Sequence, residues 1–266
     1  MATPHPAEGG PGRHPTVFTV DVERDWAGTQ LRGVREVLPR LLELLDRHGA
    51  RATFFVVAEL ADEVVGRLDP AGPHEVGSHG LDHAVLTRLS PEQVEAQVDG
   101  SRRRLGAAGY DVAGFRAPFF RRPAGLDAVL WRAGYRYDAS VGSVWPSPAN
   151  RARPAPPVPG AARPARLGNA TLGDGLLPFN LTWLRLLHPL GRRLVAPGAG
   201  VFSCHLHELL PDDGRGAGGL PGLPGPLRRL HTRASGATAW RLVEELLADP
   251  RRRFVTARER LGDGRA

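Results

Sequence analysis

The chain has 266 residues, of which 41% are hydrophobic and 24% charged, and this composition is ordinary for a soluble globular protein. Its formal net charge is +7 and its pI about 10.9, but every basic residue is an arginine because the sequence contains no lysine. The arginines are scattered and lack interleaved aromatic residues, so the charge does not predict nucleic-acid binding.

Export and membrane insertion are not predicted either. The Pro/Gly-rich start has no apolar core typical of a secretory signal, and no apolar run approaches the roughly 20 residues of a membrane span. We therefore expect a cytoplasmic protein. The single cysteine, Cys204, excludes an internal disulfide.

Residues 1–15 are predicted to be a disordered leader and residues 16–260 a single catalytic domain. Within the domain, apolar β-branched runs alternate with amphipathic helical patterns. The predicted strands cover residues 16–22, 52–57, 74–77, 114–118, 135–138, 200–208 and 253–256. The predicted helices cover residues 34–48, a short segment ending near 68, 90–108, 125–133, 179–190 and 237–247. Two Gly/Pro-rich stretches, 146–175 and 211–226, are predicted to be irregular loops, and the first could close over a substrate as a lid.

Alternation of strands and helices predicts parallel strands joined by right-handed crossovers. About seven such units favour a single α/β domain, a distorted seven-stranded (β/α)7 barrel. A doubly wound open sheet is the alternative, but no Gly-x-Gly-x-x-Gly or phosphate-binding loop follows any strand. In either fold the functional residues are expected at the C-terminal ends of the strands.

Four predicted strand ends carry polar side chains that suit catalysis. A helical turn beginning at Ser78 would place His79 and His83 on one face, about 6 Å apart at Cβ, as two ligands of one metal ion. A lone buried cysteine usually behaves as a small hydrophobe, so Cys204 is a weak candidate for a nucleophile. The candidates are Asp21 and Glu23 on the first strand, His79 and His83 after the third, Arg116 on the fourth, and His205 and His207 near the end of the chain.

This ordered set resembles the polysaccharide deacetylase family, named for the NodB homology domain, over roughly residues 16–208. The family's Asp-Asp strand motif appears as residues 19–23, with Val22 at the second Asp position, and its His-Ser/Thr-x-x-His motif as residues 79–83, with Gly80 at the hydroxyl position. Three later segments are also similar to family motifs: residues 115–119 to Arg-x-Pro, residues 137–140 to Tyr-Asp-x-Ser, and residues 205–208 to the His-x-x-Glu of a cytoplasmic-type subgroup.

The resemblance implies a metal-dependent hydrolase that removes an N-acetyl or similar acyl group from an amino sugar in a polysaccharide, a lipid-linked sugar or a small glycoside. It implies that Asp21 is the general base, oriented by Arg116, and that the proton donor is His205, with His207 as second choice. The metal ligands would be Glu23, His79 and His83. Asp21 or Asp25 is an alternative carboxylate ligand because Val22 stands at the usual position. Implied substrate-binding residues are Pro118, Phe119 and Asp138.

Two nitrogens and one oxygen suit Zn²⁺ best, and Co²⁺, Ni²⁺, Mn²⁺ or Fe²⁺ could occupy the same ligands. The departures at Val22 and Gly80 motivate an alternative, a catalytically inactive deacetylase-like protein that binds carbohydrate. A nucleic-acid or anionic-surface binder is a third reading, which the arginine distribution does not support.

Overall fold

Eight parallel strands form one curled sheet in the computed structural model, which describes residues 13–25, 30–143, 145–151, 163–172, 175–195, 200–211 and 233–262. The strands, including a separate antiparallel pair formed by β7 and β8, are β1 (His14–Val22), β2 (Thr53–Val56), β3 (Glu75–Ser78), β4 (Gly114–Phe115), β5 (Tyr137–Val141), β6 (Ala165–Gly168), β7 (Thr171–Leu172), β8 (Leu177–Pro178), β9 (Val201–His205) and β10 (Arg252–Val255). The α-helices are α1 (Leu38–Arg47), α2 (Ala61–Val65), α3 (Pro91–Ala107), α4 (Leu126–Arg132), α5 (Leu181–Leu186), α6 (Ala237–Leu247) and α7 (Ala257–Arg260). None of the described helices is both long enough and apolar enough to cross a membrane.

The strand order is β10-β1-β2-β3-β4-β5-β6. Strand β9 also pairs with β1, along Val17–Asp21. Val17 in β1 consequently pairs with Val255 of β10 and Val201 of β9. One hydrogen bond connects the two edges of the sheet. The amide of Ala170, which follows β6, donates to the carbonyl of Val201 in β9 at 3.3 Å. The curled parallel sheet confirms the predicted distorted (β/α)7 barrel, and β10 is an additional strand that pairs with the first residues of β1.

Aromatic side chains fill the inside of the barrel and form the floor of its C-terminal end. The rings of Phe55 and Tyr137 meet edge to face with centroids 6.4 Å apart. Both rings need neighbours without side chains. A Cβ on Gly114 would lie 1.9 Å from a Tyr137 ring carbon, and one on Gly77 would lie 2.7 Å from the Phe55 ring. Glycine at these two strand positions therefore makes room for the aromatic floor.

Side-chain alternation along β1 separates the core from the site. Phe18, Val20 and Val22 are completely buried in the layer between the sheet and the helices. Val17, one position before Phe18, packs in the barrel interior with Phe55. Because successive side chains of a strand point to opposite faces, Asp21 shares the interior side with Val17, above the aromatic floor.

Several predicted element boundaries were wrong. The first strand begins at His14, inside the predicted leader, and residues 1–12 lie outside the described part of the chain. The predicted loop 146–175 contains β6, which pairs with β5 although its Pro/Arg-rich surroundings hid it. Of the predicted loop 211–226, only Pro211 belongs to the described residues.

The helices follow the sequence more closely. The predicted helix at residues 34–48 starts with a π-helical turn, Gly33–Val37, and continues as α1. Pro39 is the second residue of α1, where the π-helical turn changes to the α-helix. Ser90 and Gln93 form a capping box at the start of α3.

Candidate metal centre and active site

Three side chains converge at the C-terminal end of the barrel in a geometry that suits a metal ion. Glu23 directly follows β1, and His79 and His83 lie in the loop after β3. Glu23 Oε2 lies 2.6 Å from His83 Nε2 and 3.8 Å from His79 Nε2. One potential ligand atom from each residue lies within 4.8 Å of the others. Among the described residues, this is the group of three His, Cys, Asp or Glu side chains close enough to share an ion.

The loop that carries the two histidines is irregular, so the predicted helical turn at Ser78 was wrong. His83 has a φ of 66° and Gly80 a φ of 81°, in the left-handed region that only glycine adopts without strain. The backbone is instead held from outside: Ala58 N donates to the Gly80 carbonyl at 3.0 Å, and Leu81 N donates to Gln97 Oε1 at 3.0 Å. The imidazoles still meet, with ring centroids 5.0 Å apart. Gly80, which stands where the family has a hydroxyl residue, therefore suits the left-handed backbone of this loop.

The tautomer of His79 is set by a hydrogen bond to the backbone. Its Nδ1 lies 2.8 Å from the Arg116 carbonyl oxygen, which can only accept, so Nδ1 donates and Nε2 keeps its lone pair. Burial lowers the pKa of His79 to about 4, which keeps the ring neutral at physiological pH. A neutral imidazole fixed by a second hydrogen bond is the usual form of a metal-ligating histidine. Two imidazole nitrogens and one carboxylate fit Zn²⁺ or a similar divalent ion.

Glu23 is the best placed of the three candidate carboxylates. Asp25 is buried and accepts hydrogen bonds from the amides of Arg32 at 2.7 Å and Gly33 at 2.9 Å, so it fastens the start of the first helix. Asp21 forms a buried ion pair with Arg116. The structure therefore favours Glu23 and removes Asp25 as an alternative ligand.

Asp21 is ionised and held rigidly by Arg116. Arg116 Nη1 lies 2.6 Å from Asp21 Oδ1 and donates to Thr19 Oγ1 at 3.0 Å. The guanidinium is completely buried, 4.1 Å above the ring of Phe55 in the aromatic floor. Burial alone would raise the pKa of Asp21, but the guanidinium of Arg116 and the imidazoles of His79 and His205 outweigh it and lower the pKa below its usual value.

His205 lies beside Asp21 and is held by Glu208. Its Nε2 lies 3.7 Å from Asp21 Oδ2, and its Nδ1 lies 3.4 Å from Glu208 Oε2. Burial would lower the pKa of His205, but the hydrogen bond to Glu208 and the carboxylates of Glu23, Glu208 and Asp21 raise it to about 9. His205 is therefore protonated at neutral pH.

His207 differs from His205 although their rings stack with centroids 5.0 Å apart. The predicted strand through both residues ends at His205, and His207 lies in the 3-10 turn Leu206–Leu209. Its Nδ1 lies 3.9 Å from Glu23 Oε1. Burial and the neighbouring charge of His205 lower its pKa to about 3, so His207 is neutral at physiological pH.

The three predicted substrate-binding residues have different positions. Phe119 is 46% exposed, and its ring centroid lies 4.9 Å from that of His83, at the rim of the site. Pro118 is buried beside Gly80 and supports the histidine loop. Asp138 is completely buried, with one oxygen accepting from the amide of Ser140 at 2.9 Å and the other from Arg122 Nε at 2.7 Å. The predicted substrate contact of Asp138 is therefore corrected to an internal ion pair.

Comparison with known proteins agrees with this geometry. Residues 15–137 match the family model described as polysaccharide deacetylase. This part of the chain, just under half of its length, is similar to the polysaccharide deacetylase family. It contains Asp21, Glu23, His79, His83 and Arg116, whereas the His205 segment lies beyond the matched residues.

Individual proteins are also similar to this chain in sequence or in structure. A chitooligosaccharide deacetylase from Rhizobium leguminosarum bv. phaseoli is 35% identical over 86 residues, which are 30% of this chain and 38% of that enzyme. The chain therefore matches well under half of that relative's length. A crystal structure of a peptidoglycan N-acetylglucosamine deacetylase superposes with a TM-score of 0.54 and 16% identity, over 93% of this chain and 87% of the other. An allantoinase superposes with a TM-score of 0.60 and 16% identity, over 98% and 93% of the two chains. At this identity, the two structures establish the fold of the chain.

Arg185 and Thr182 contact Glu208 but belong to no recognisable sequence motif. Arg185 Nη2 lies 2.9 Å from Glu208 Oε1, and Thr182 Oγ1 donates to the same oxygen at 2.6 Å. Both lie on α5, more than 20 positions before Glu208 in the chain. Only the fold brings them to the site.

Proposed function

We propose that this chain is a metal-dependent hydrolase that removes the N-acetyl group of an amino sugar. The observation that carries the proposal is the convergence of Glu23, His79 and His83 beside an ionised carboxylate, Asp21, and a protonated imidazole, His205. Amide hydrolysis needs a proton acceptor for the attacking water and a proton donor for the leaving amine, and this site holds one of each.

Glu23, His79 and His83 would hold the divalent ion. When bound there, such an ion would polarise the acyl carbonyl and increase the acidity of water in the site. The two nitrogens and one oxygen indicate a divalent transition metal, and Zn²⁺ fits them best.

Asp21 is the proposed general base. Its Oδ1 is fixed by Arg116 at 2.6 Å, while Oδ2 lies on the side of His79 and His205, at 4.0 and 3.7 Å from their Nε2 atoms. The lowered pKa keeps Oδ2 deprotonated and able to accept the proton of the attacking water.

His205 is the proposed proton donor, and the structure gives a reason to prefer it over His207. Below a pKa of about 9 its Nε2 carries a proton, which it can give to the amine nitrogen as the C–N bond breaks. His207, with a pKa of about 3, has no proton to give beyond that of its neutral form. Its position beside Glu23 suits support of the ligand carboxylate instead.

The departures from the family pattern leave the chemistry in place. Val22 is completely buried in the outer core, so the position of the usual second aspartate does not face the interior of this barrel, and Glu23 supplies a carboxylate. Gly80 adopts a φ of 81°, which suits glycine better than a hydroxyl residue. An inactive carbohydrate-binding protein is therefore the less favoured alternative.

An amino sugar is the proposed substrate because the family match and the relatives' names are those of sugar deacetylases. The exposed ring of Phe119 next to His83 offers a flat apolar surface for the face of a pyranose. Whether the sugar belongs to a polymer, a lipid-linked precursor or a small glycoside depends on groups farther from the reacting atoms.

The test is release of acetate and a free amine from N-acetylglucosamine oligomers and from peptidoglycan fragments, with protein loaded with Zn²⁺ or Co²⁺. We expect turnover by the wild-type protein, loss of turnover with chelator, and recovery on adding the ion back. Stoichiometric metal binding without deacetylation of any substrate in the panel would favour the inactive alternative.

A further inference from the structure

The two carboxylate oxygens of Glu208 have separate tasks. Oε1 accepts hydrogen bonds from Arg185 Nη2 at 2.9 Å and Thr182 Oγ1 at 2.6 Å. Oε2 accepts from the backbone amide of His205 at 2.9 Å and lies 3.4 Å from its Nδ1. The carboxylate thus connects α5 to the imidazole, and the donors on α5 help to orient its plane.

Without these donors, only the contacts of Oε2 with His205 would orient the carboxylate plane of Glu208. The last torsion of a glutamate side chain has a broad energy profile, so the hydrogen-bond partners determine the orientation of this plane. Glu208 is 1% exposed and Arg185 completely buried, so neither has water as a substitute partner. Arg185 also donates through Nη1 to the Arg233 carbonyl at 2.8 Å, which fixes the guanidinium itself.

The position of α5 is in turn fixed relative to His205. Asn180 caps the helix by accepting from the Trp183 amide at 3.0 Å. The same residue forms a parallel bridge with Ser203, two positions before His205 on β9. The helix that orients Glu208 is therefore attached directly to the strand that carries the imidazole.

We propose that Arg185 and Thr182 are positioning residues for the proton donor: they orient Glu208 so that it holds His205 with Nε2 toward the reacting amide. The inference rests on the proposed deacetylase function. In that step the C–N bond breaks, its electron pair goes to nitrogen, and the proton on His205 Nε2 goes to that nitrogen. A leaving group that is stable as an anion does not need this proton.

The experiment compares two acetyl substrates that differ in this need. An N-acetylglucosamine oligomer has an amine leaving group that must be protonated, whereas p-nitrophenyl acetate has a leaving group that departs as a stable phenolate. The test variants are Thr182→Val, which keeps shape and removes the donor, and Arg185→Lys, which keeps charge and removes the planar two-point geometry. The matched control is Thr171→Val, on the β7–β8 pair.

For Thr182→Val we expect kcat on the amide to fall about tenfold, a fraction of the 10²–10⁴-fold effect of a general acid, with KM within about twofold. Ester hydrolysis and Zn²⁺ affinity, measured by calorimetry, should stay within about twofold of wild type. Arg185→Lys should show the same selectivity. If it does not fold, Thr182→Val alone decides.

Equal slowing of amide and ester, or an unchanged rate on the amide, would overturn the proposal, because it would show a general structural role or none. A wild-type protein that binds Zn²⁺ and hydrolyses the ester but not the amide would instead refute the deacetylase function, and the positioning role would fall with it.

Discussion

Replacing Asp21 by asparagine separates the proposed base from the metal ligands. The change keeps the size of the side chain and leaves Glu23, His79 and His83 intact, but it removes the group that would accept a proton. Loss of a positioned general base lowers rates by about 10²–10⁴-fold, so we expect a fall of that size in kcat for acetate release. Metal affinity, measured by calorimetry, should change by less than about tenfold, since Asp21 is not one of the three proposed ligands.

The same substitution has a cost in stability that follows from burial of Arg116. Unit charges 2.6 Å apart attract by about 6 kcal/mol at an effective dielectric constant of 20, and desolvation offsets much of this. Removing one partner of a buried pair typically costs about 3–5 kcal/mol. Because the asparagine oxygen can still accept from Arg116, we expect about 2–3 kcal/mol, measured by urea unfolding of the metal-free protein.

Glu75→Gln provides the matched control for a buried carboxylate. Glu75 lies at the start of β3, at the end of the barrel opposite the site, and accepts from Tyr137 at 2.9 Å and Thr53 at 3.0 Å. It should lose stability but retain kcat and metal affinity at temperatures well below unfolding. A metal-loaded Asp21→Asn protein with a kcat within threefold of wild type would refute the assignment of Asp21 as the base.

Three further predictions concern other parts of the site. Gln97→Ala should weaken Zn²⁺ binding about tenfold in calorimetry by releasing the loop at Leu81, and Gln97→Glu, which keeps the acceptor, should restore it. Phe119→Ala should raise KM for the sugar about tenfold, the effect of about 1.4 kcal/mol, with metal affinity unchanged; an unchanged KM would mean that the ring does not contact substrate. In metal-free protein, the raised pKa of His205 contributes stability that is complete below pH 6.5 and is lost as pH rises to about 9. Measured by urea unfolding, the stability of the wild type relative to His205→Gln should fall by about 2–3 kcal/mol from pH 6 to pH 9, because the other histidines, which titrate near pH 6.5 in the unfolded chain, contribute similarly to both proteins.

The sequence is sufficient to predict which strand ends meet. Asp21, His79, Arg116 and His205 each stand at or just after the end of an apolar run, and parallel strands bring such ends to one side of a barrel. The α/β class and the barrel follow from the same alternation. The short β6 does not, because four residues in a Pro/Arg-rich stretch become a strand only through pairing with β5.

Finer features depend on contacts that spacing does not encode. The four-residue interval between His79 and His83 fits a helical turn and an irregular loop equally well, and Gln97 on α3 stabilises the loop. The preference for His205 over His207 follows from Glu208, three positions later, whereas the ion pair of Glu208 with Arg185 comes from a helix with no recognisable motif. Asp138 matches a family motif in sequence, yet its ion pair with Arg122 turns it inward.

Metal binding by wild-type and His83→Ala protein tests the central claim most directly, because it needs no knowledge of the substrate. Calorimetry with Zn²⁺ and Co²⁺ should show one ion per wild-type chain. His83→Ala should weaken this binding by 100-fold or more, since it removes one of only three protein ligands, whose Nε2 lies 2.6 Å from Glu23. Asp25→Asn, which alters a buried carboxylate that fastens the backbone, should bind the ion as wild type does. No binding by the wild type, or binding that His83→Ala leaves unchanged, would contradict the assignment of Glu23, His79 and His83 as the metal centre.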